Sequence, residues 1–307
     1  MNDKSFIITV DTEGDCAWSR DAQANVTTEN SRFIPRFQEL CEKYGFKPVY
    51  LTNYEMAMDD NWVSYSSNKE KLGMCEIGLH LHAWNTFPLV DLEKKYHGLP
   101  YITEYSEDII EHKVKTIMQL LQDRYQTQIV SHRSGRWATN DIYFDILAKS
   151  GIEIDCSFTP EIDLSPLPGK TVAGGNDYRK VCKHTHVLKS GIVEVPMTTR
   201  NLHIVGSNSI KHNIKTFLFG APSWLRPITK SVDTLKRLTR VVERDPKSDY
   251  LEFMLHSSEL MPGGSPYFKS EADIELLYKV IDEYFLYVTD IGYKGKTLSE
   301  YVSSKDL

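Results

Sequence analysis

The sequence predicts an α/β fold in which a parallel sheet is covered by helices: a βα barrel, complete or short of the usual eight strands. Three observations carry that prediction. Seven apolar runs are each long enough for a strand and too short for a helix. Amphipathic segments of helical period lie between them. No G-x-G-x-x-G or Walker-type loop follows the first run, which leaves a nucleotide site without support. Strands apolar on both faces belong to sheets buried on both sides. A doubly wound open sheet is the alternative topology.

In chain order, the first run is FIITV (6–10), and residues 31–44 follow with Phe33, Ile34, Phe37, Leu40 and Cys41 on one helical face and Gly45 as the stop. PVYL (48–51) and EIGLHLH (76–82) are the second and third runs. Residues 107–125 set Ile109, Ile110, Val114, Ile117, Met118 and Leu121 on one face. QIVSH (128–132) precedes a helix over 139–150, with Thr139 and Asn140 as cap candidates and Gly151 as its end. IEIDC (152–156), IVEVPM (192–197) and YLEFMLH (250–256) complete the seven, and a last helix spans 271–288. The stretches 83–106, 157–190 and 198–232 read as loops shaping one end of a single domain, 1–307.

The composition, 41% hydrophobic and 25% charged, is that of a globular protein, and a net charge of −6 argues against a nucleic-acid partner. The start MNDKSFIITVD lacks signal-peptide features and no window approaches a membrane span, so the expected location is cytoplasmic. Cys16, Cys41, Cys75, Cys156 and Cys182 form no C-x-x-C pair and read as reduced, mostly buried thiols. The sequon Asn25-Val26-Thr27 has no meaning without secretion. Oligomeric state is not legible.

Chemistry in parallel βα folds collects at the carboxyl ends of the strands. Five of the seven runs end in residues suited to acid–base or metal work: Asp11, Glu13 and Asp15; His80 and His82; His132 and Arg133; Asp155; and His256. Strand residues i and i+2 share a face, so His80 and His82 can bind one zinc-like cation, with a strand-end carboxylate as third ligand. The H-x-H pattern alone fits two core histidines equally well. His184-Thr185-His186 has the same pattern but sits in a lysine-rich loop and reads as solvated surface. Asp15 reads as the cap of a following helix. Taken singly, Arg133 fits an ordinary ion pair and Asp155 a turn or cap.

The ordered set of TVDTEGD, HLHAWN, SHRSGRW, DCSFTP and FMLHSSEL along residues 6–260 resembles the polysaccharide deacetylases, the NodB-homology group or carbohydrate esterase family four. The resemblance implies a distorted (β/α)7 barrel and removal of acetyl groups from sugars with one divalent metal, zinc being the expected ion. In this likeness Asp11 is the general base, Glu13, His80 and His82 hold the metal, Arg133 orients Asp11, and His256 is the general acid tuned by Asp155. The family's second motif has histidines four apart. Here Trp84 stands at the later position, so His82 must substitute, with His97 or Asp15 as replacements should it point away. Trp84 and Trp137 are candidates for stacking on a sugar ring or packing against loops. HLHAWN, SHRSGRW and LHSSEL most resemble the WalW-like branch associated with lipopolysaccharide biosynthesis. The expected partner is an acetylated sugar or polysaccharide. Rival readings are an amidohydrolase-type enzyme, a glycosidase using two of the first-strand acids, and a non-catalytic sugar-binding relative.

Overall fold

The structure is a computed structural model that describes residues 4–15, 17, 26–203 and 221–305. Cys16, Asn25 of the sequon and much of the 198–232 stretch therefore lie outside the described residues.

Strand β1 (Ser5–Thr12) is buried at all eight positions, and the sheet grows from it in both directions. β2 (Pro48–Thr52), β3 (Glu76–Leu81), β4 (Ser131–Ser134) and β5 (Ile154–Asp155) add in parallel on one side. Beyond β5, β6 (His186–Val187) lies at the edge as an antiparallel partner of β7 (Val193–Glu194), which itself runs parallel to β5. β8 (Thr199–Leu202) and β9 (Ala221–Trp224) form a separate antiparallel pair. On the other side of β1 lies β10 (Tyr250–His256), and β11 (Lys294–Gly295) also pairs with β1. Each of the seven apolar runs thus contains or overlaps one of the parallel strands.

The sheet curls without a regular barrel seam. Among the described residues no ladder joins β7 to β10. Three hydrogen bonds bridge the gap instead: Tyr250 Oη to the Pro196 carbonyl at 2.5 Å, Glu252 N–H to Thr198 Oγ1 at 2.8 Å, and Met254 N–H to the Leu225 carbonyl at 3.1 Å.

Side-chain alternation divides the sheet into two faces. Phe6, Ile8 and Val10 of β1 and Phe253 and Leu255 of β10 pack outward against the helices Ile34–Lys43 and Glu271–Asp290. Ile7, Val49, Leu51, Ile154, Cys156, Val195 and Tyr250 face inward, and Leu298 and Tyr301 of the helix Leu298–Ser303 close the lower end of this inner cluster. Above that apolar plug the same inward file of β1 turns polar, at Thr9, Asp11 and Glu13. The fold therefore sets polar groups at the carboxyl ends of the strands over a hydrophobic floor.

The predicted helices are present with small shifts. Glu107–Tyr125 matches its predicted bounds. Asn140 caps Asp141–Lys149 by accepting from Tyr143 N–H, Ser270 caps Glu271–Asp290, and Gly45 and Gly151 take the positive φ (+69° and +94°) that ends two helices. The helices Tyr54–Met58, Asp60–Lys71 and Val232–Val242 and the β8–β9 pair lie outside the sequence-level expectation. Asp60–Lys71 buries only Trp62, Val63 and Ser66, too few apolar positions to mark a period. His184 and His186 are partly buried rather than solvated, and His184 Nε2 meets Asp245 Oδ2 at 2.8 Å. Among the described residues no helix is long and apolar enough to cross a membrane.

At the centre of the inner face lies the fully buried Arg133. Its Nε donates to the Cys156 carbonyl at 3.1 Å and its Nη1 to Asp11 Oδ1 at 2.6 Å. Nη2 reaches Thr9 Oγ1 at 2.8 Å, Met197 Sδ at 3.0 Å and Glu252 Oε1. Burial drives the Glu252 carboxyl up to about 7 in spite of Arg133. A carboxyl raised in this way holds its proton more tightly folded than unfolded. Its stabilising contribution is complete below the ordinary value of 4.5 and is lost as pH rises to about 7. Glu252→Gln removes that dependence. The stability of the variant relative to wild type, from urea denaturation at several pH values, is expected to rise between these limits, and a pH-independent difference would contradict the assignment.

Candidate metal and acid–base site

Three strand ends build the site. On β1, Asp11 lies in register with His256 of β10, so the two side chains rise together at the rim. The Glu13 backbone is held at both ends: its N–H and carbonyl each meet Ser257 Oγ at 3.1 Å, and Asn30 Nδ2 donates to its carbonyl at 2.9 Å. On β3 the inward file is Gly78, His80 and His82. A Cβ at position 78 would stand 2.4 Å from Ser131 Oγ and 2.7 Å from Leu51 Cδ2, so only glycine fits below the histidines.

His80 Nδ1 lies 2.9 Å from the Arg133 carbonyl oxygen. A carbonyl can only accept, so Nδ1 carries the hydrogen, and Nε2 presents its lone pair when the ring is neutral. His82 stacks on Trp84 at 4.2 Å between ring centroids and 21° between planes, and Gly135 lies close to its Cδ2 edge. Glu13 Oε2 is 3.1 Å from His82 Nε2 and 3.6 Å from His80 Nε2, and the three donors lie within 4.8 Å of one another, all buried. Ligands about 2.0–2.1 Å from one tetrahedral ion stand roughly 3.3 Å apart, so this carboxylate–imidazole set suits a zinc-type divalent cation.

Charge balance favours ionised acids here. Burial pushes the Asp11 carboxyl up, but Arg133, then His80 and His256, overcome it and hold the group below its ordinary value. Burial likewise opposes ionisation of Glu13, yet His256, His80 and His82 hold it well below the usual carboxylate range. His80 shows the mirror image: burial disfavours its cation, but Asp11 and Glu13 raise it above 6.5.

His256 sits across the cavity, its Nε2 3.7 Å from Asp11 Oδ2 and 4.0 Å from Glu13 Oε1. Its Nδ1 side faces Arg226 Nη2 at 2.9 Å and Glu259 Oε1 at 3.4 Å, and Arg226 donates to Glu259 at 2.6 Å. The acid beside His256 is therefore Glu259. Asp155, expected in that role, is elsewhere: Ile154 and Cys156 face inward, so alternation sends Asp155 to the outer face. There it meets His132 Nδ1 at 2.5 Å and accepts from Ser157 N–H and Oγ at 2.9 Å each, while His132 Nε2 meets Tyr143 Oη at 2.9 Å. Glu259 had a sequence signal in the H-x-x-E spacing of HSSE, one short helical turn beyond the strand. Arg226, from a stretch read as loop, had none.

The two reserve ligands also take other places. Asp15 accepts from Glu29 N–H at 2.8 Å, Asn30 N–H at 2.9 Å and Thr27 Oγ1 at 2.6 Å, capping the short helix Glu29–Phe33 as expected. His97 lines a neighbouring chamber. A cavity of about 280 Å³ opens over the site, with Trp84 and Trp137 in its wall beside Asp11, Glu13, His80, His82 and His256. Trp137 packs against Trp224 at 5.2 Å and lies 5.0 Å from the Arg133 guanidinium, so each tryptophan both packs and faces the cavity.

No protein-family model and no curated protein matches the chain. Solved structures do. A glycoside hydrolase family 57 branching enzyme from Thermococcus kodakaraensis is 10% identical with a TM-score of 0.59, over 99% of this chain and 72% of that one. A 4-alpha-glucanotransferase from Thermococcus litoralis is 14% identical with a TM-score of 0.53, over 99% of this chain and 40% of that one. A putative polysaccharide deacetylase from Mycobacterium smegmatis is 13% identical with a TM-score of 0.50, over 96% of this chain and 94% of that one. At such identities the likeness is one of fold.

Two outcomes are expected from this geometry. A Cβ at Gly135 would stand 2.4 Å from His82 Cδ2 and 2.5 Å from the Leu81 carbonyl, so Gly135→Ala must displace the His82 ring. Its Zn²⁺ affinity, from competition with a chromogenic chelator, should fall roughly 10-fold or more; unchanged affinity would remove His82 from the ligand set. Because His80 is raised above 6.5, a cation binding there displaces a proton. Zn²⁺ affinity should therefore strengthen as pH rises through neutrality, and titration heats at pH 7 should depend on the buffer's ionisation enthalpy. Heats independent of buffer would count against this.

Proposed function

We propose that the chain is a divalent-metal-dependent hydrolase that removes an acetyl group, of the N-acetyl kind, from a sugar or polysaccharide. The observation that carries this reading is the meeting, in one cavity, of an arginine-held carboxylate, a Glu/His/His donor set and a histidine on the opposite wall. The fold shared with a putative polysaccharide deacetylase and the motif order support it. The lipopolysaccharide setting rests on the three motifs alone.

Glu13, His80 and His82 would hold the cation, zinc by its donor types, which when bound supplies Lewis-acid polarisation of the acetyl carbonyl and acidifies a water. Asp11 is the base. Arg133 occupies Oδ1, which leaves Oδ2 on the cavity side to take a proton from the attacking water, and the same guanidinium keeps the carboxylate ionised until then. His256 donates from Nε2 to the departing sugar nitrogen, its ring fixed from behind by Arg226 and Glu259. A C–O bond forms, the C–N bond breaks, and the products are acetate and an amino sugar. Trp84 and Trp137 offer ring faces to the sugar. A glycosidase using two first-strand acids would leave the three histidines idle and survive chelation.

The test is acetate release from N-acetylated oligosaccharides by Zn²⁺-loaded protein, with and without chelator. Asp11→Asn should keep its fold and bound zinc while losing about 10²–10⁴ in rate. Full activity in that variant, or in chelated wild type, would sink the reading; no release from loaded wild type across a panel of acetylated sugars would favour a non-catalytic sugar binder.

A further inference from the structure

Beyond Trp84 lies a second chamber of about 580 Å³, whose wall includes Trp84 and Leu99, residues that also line the catalytic cavity. The two spaces therefore adjoin across these two residues. Small-molecule ligands occupy pockets of about 300–1,000 Å³, so the catalytic cavity alone is small and the adjoining chamber offers further room.

The chamber is cationic in a protein of net charge −6. Lys94 and Lys170 line it; Glu104 stands close by, accepting from Lys170 N–H at 3.1 Å, and the one carboxylate in the lining itself is Asp91. That acid offsets little: its side chain is fully exposed and stands 3.6 Å from Lys170 Nζ. Behind the wall, Lys113 is buried with only carbonyl partners among the described residues, Thr86 at 2.7 Å and Pro88 at 2.6 Å, and lies 4.9 Å from the ring of the wall residue Tyr105. Arg136 lines the catalytic cavity beside Leu99, a residue of both walls. It donates to the carbonyls of Leu99 and Pro168, the latter at 3.0 Å, and its guanidinium lies 4.0 Å from the Tyr101 ring. Its backbone and that of Trp137 are both in the left-handed region, φ +55° and +60°, conformations that non-glycine residues hold only where surrounding contacts impose them. Burial lowers the Lys113 ammonium to about 8 and holds Arg136 below its ordinary value, where Tyr101 and Glu104 partly oppose the shift, so both still carry charge at neutral pH.

We infer that this chamber is a subsite for an anionic group, a carboxylate or a phosphate, carried next to the acetylated sugar. The inference deepens the deacetylase reading and rests on it for the identity of that sugar. Trp84, between the two spaces, would separate the acetylated ring from its charged neighbour.

Binding can be followed by tryptophan fluorescence in the full-length protein, without turnover. The probes are N-acetylglucosamine 1-phosphate, the disaccharide of N-acetylglucosamine with glucuronic acid, and neutral N,N′-diacetylchitobiose. Wild type should bind one anionic probe about tenfold or more tightly than the neutral one, a gap that shrinks with added salt, and the stronger probe identifies the anion as phosphate or carboxylate. In Lys94→Ala/Lys170→Ala, two substitutions in surface loops, the preference should collapse while neutral binding stays. Equal binding of all three probes, or a preference that survives the double substitution, overturns the subsite. Acetate release without anion preference would overturn this inference alone; anion-selective binding without acetate release would overturn the deacetylase reading alone.

Discussion

A guanidinium without access to water sits at the middle of the sheet's inner face, and the site is arranged around it. Arg133 cannot lose its proton under any ordinary condition, so the surroundings must supply compensation. They do so from four strands or their ends: Thr9 and Asp11 on β1, Glu252 on β10, the Cys156 carbonyl after β5 and Met197 after β7. Removing one side of such a buried pair leaves an uncompensated charge and costs about 3–5 kcal/mol. Among the described residues the seam between β7 and β10 has no ladder, and Arg133 reaches across it to Glu252 and Met197. One side chain thus helps to hold the curl of the sheet and the ionisation of Asp11.

That double duty explains why two buried acids a few residues away behave differently. Asp11 and Glu252 share Arg133, yet Asp11 is held below its usual value and Glu252 is pushed up to about 7. Asp11 also faces His80 and His256, whereas Glu252 lies lower in the sheet, where it gains only Thr9 and the arginine and feels Asp11 as a like charge. Height along the strand decides which acid is ionised: near the rim histidines are available, and near the apolar floor they are not. The acid facing the cavity is the one kept charged.

The parts of the fold legible in the sequence were those whose burial is symmetric. A strand buried on both faces is an apolar run whatever its neighbours, so seven of the parallel strands could be found without knowing their order, while the two-residue β11 could not. Asp11, Glu13, His80, His82, Arg133 and His256 were legible because each ends or follows such a run on the inward parity. Asp155 failed on that same parity: it ends a strand, but its neighbours Ile154 and Cys156 take the inner face. The β8–β9 pair and Arg226 were not legible, because neither has periodicity and Arg226 acquires meaning only when the chain brings it within 2.9 Å of His256. The H-x-x-E spacing of His256 and Glu259 was visible, but its role depends on the strand passing directly into a short helix that folds the glutamate back onto the histidine backbone.

Trp84 draws these levels together. The motif comparison expected a histidine there and, finding Trp84, passed the ligand role to His82. In the structure the indole lies nearly flat on His82, two residues nearer along the same strand end, and the missing side chain of Gly135 leaves room for the Cδ2 edge of that ring. The stacked indole thus orients the His82 imidazole by packing, where His80 is oriented by a hydrogen bond to the Arg133 carbonyl. The same indole forms part of the wall of both chambers. An aromatic at this position therefore packs on one face of a candidate ligand and at the same time forms part of the wall between two adjoining spaces.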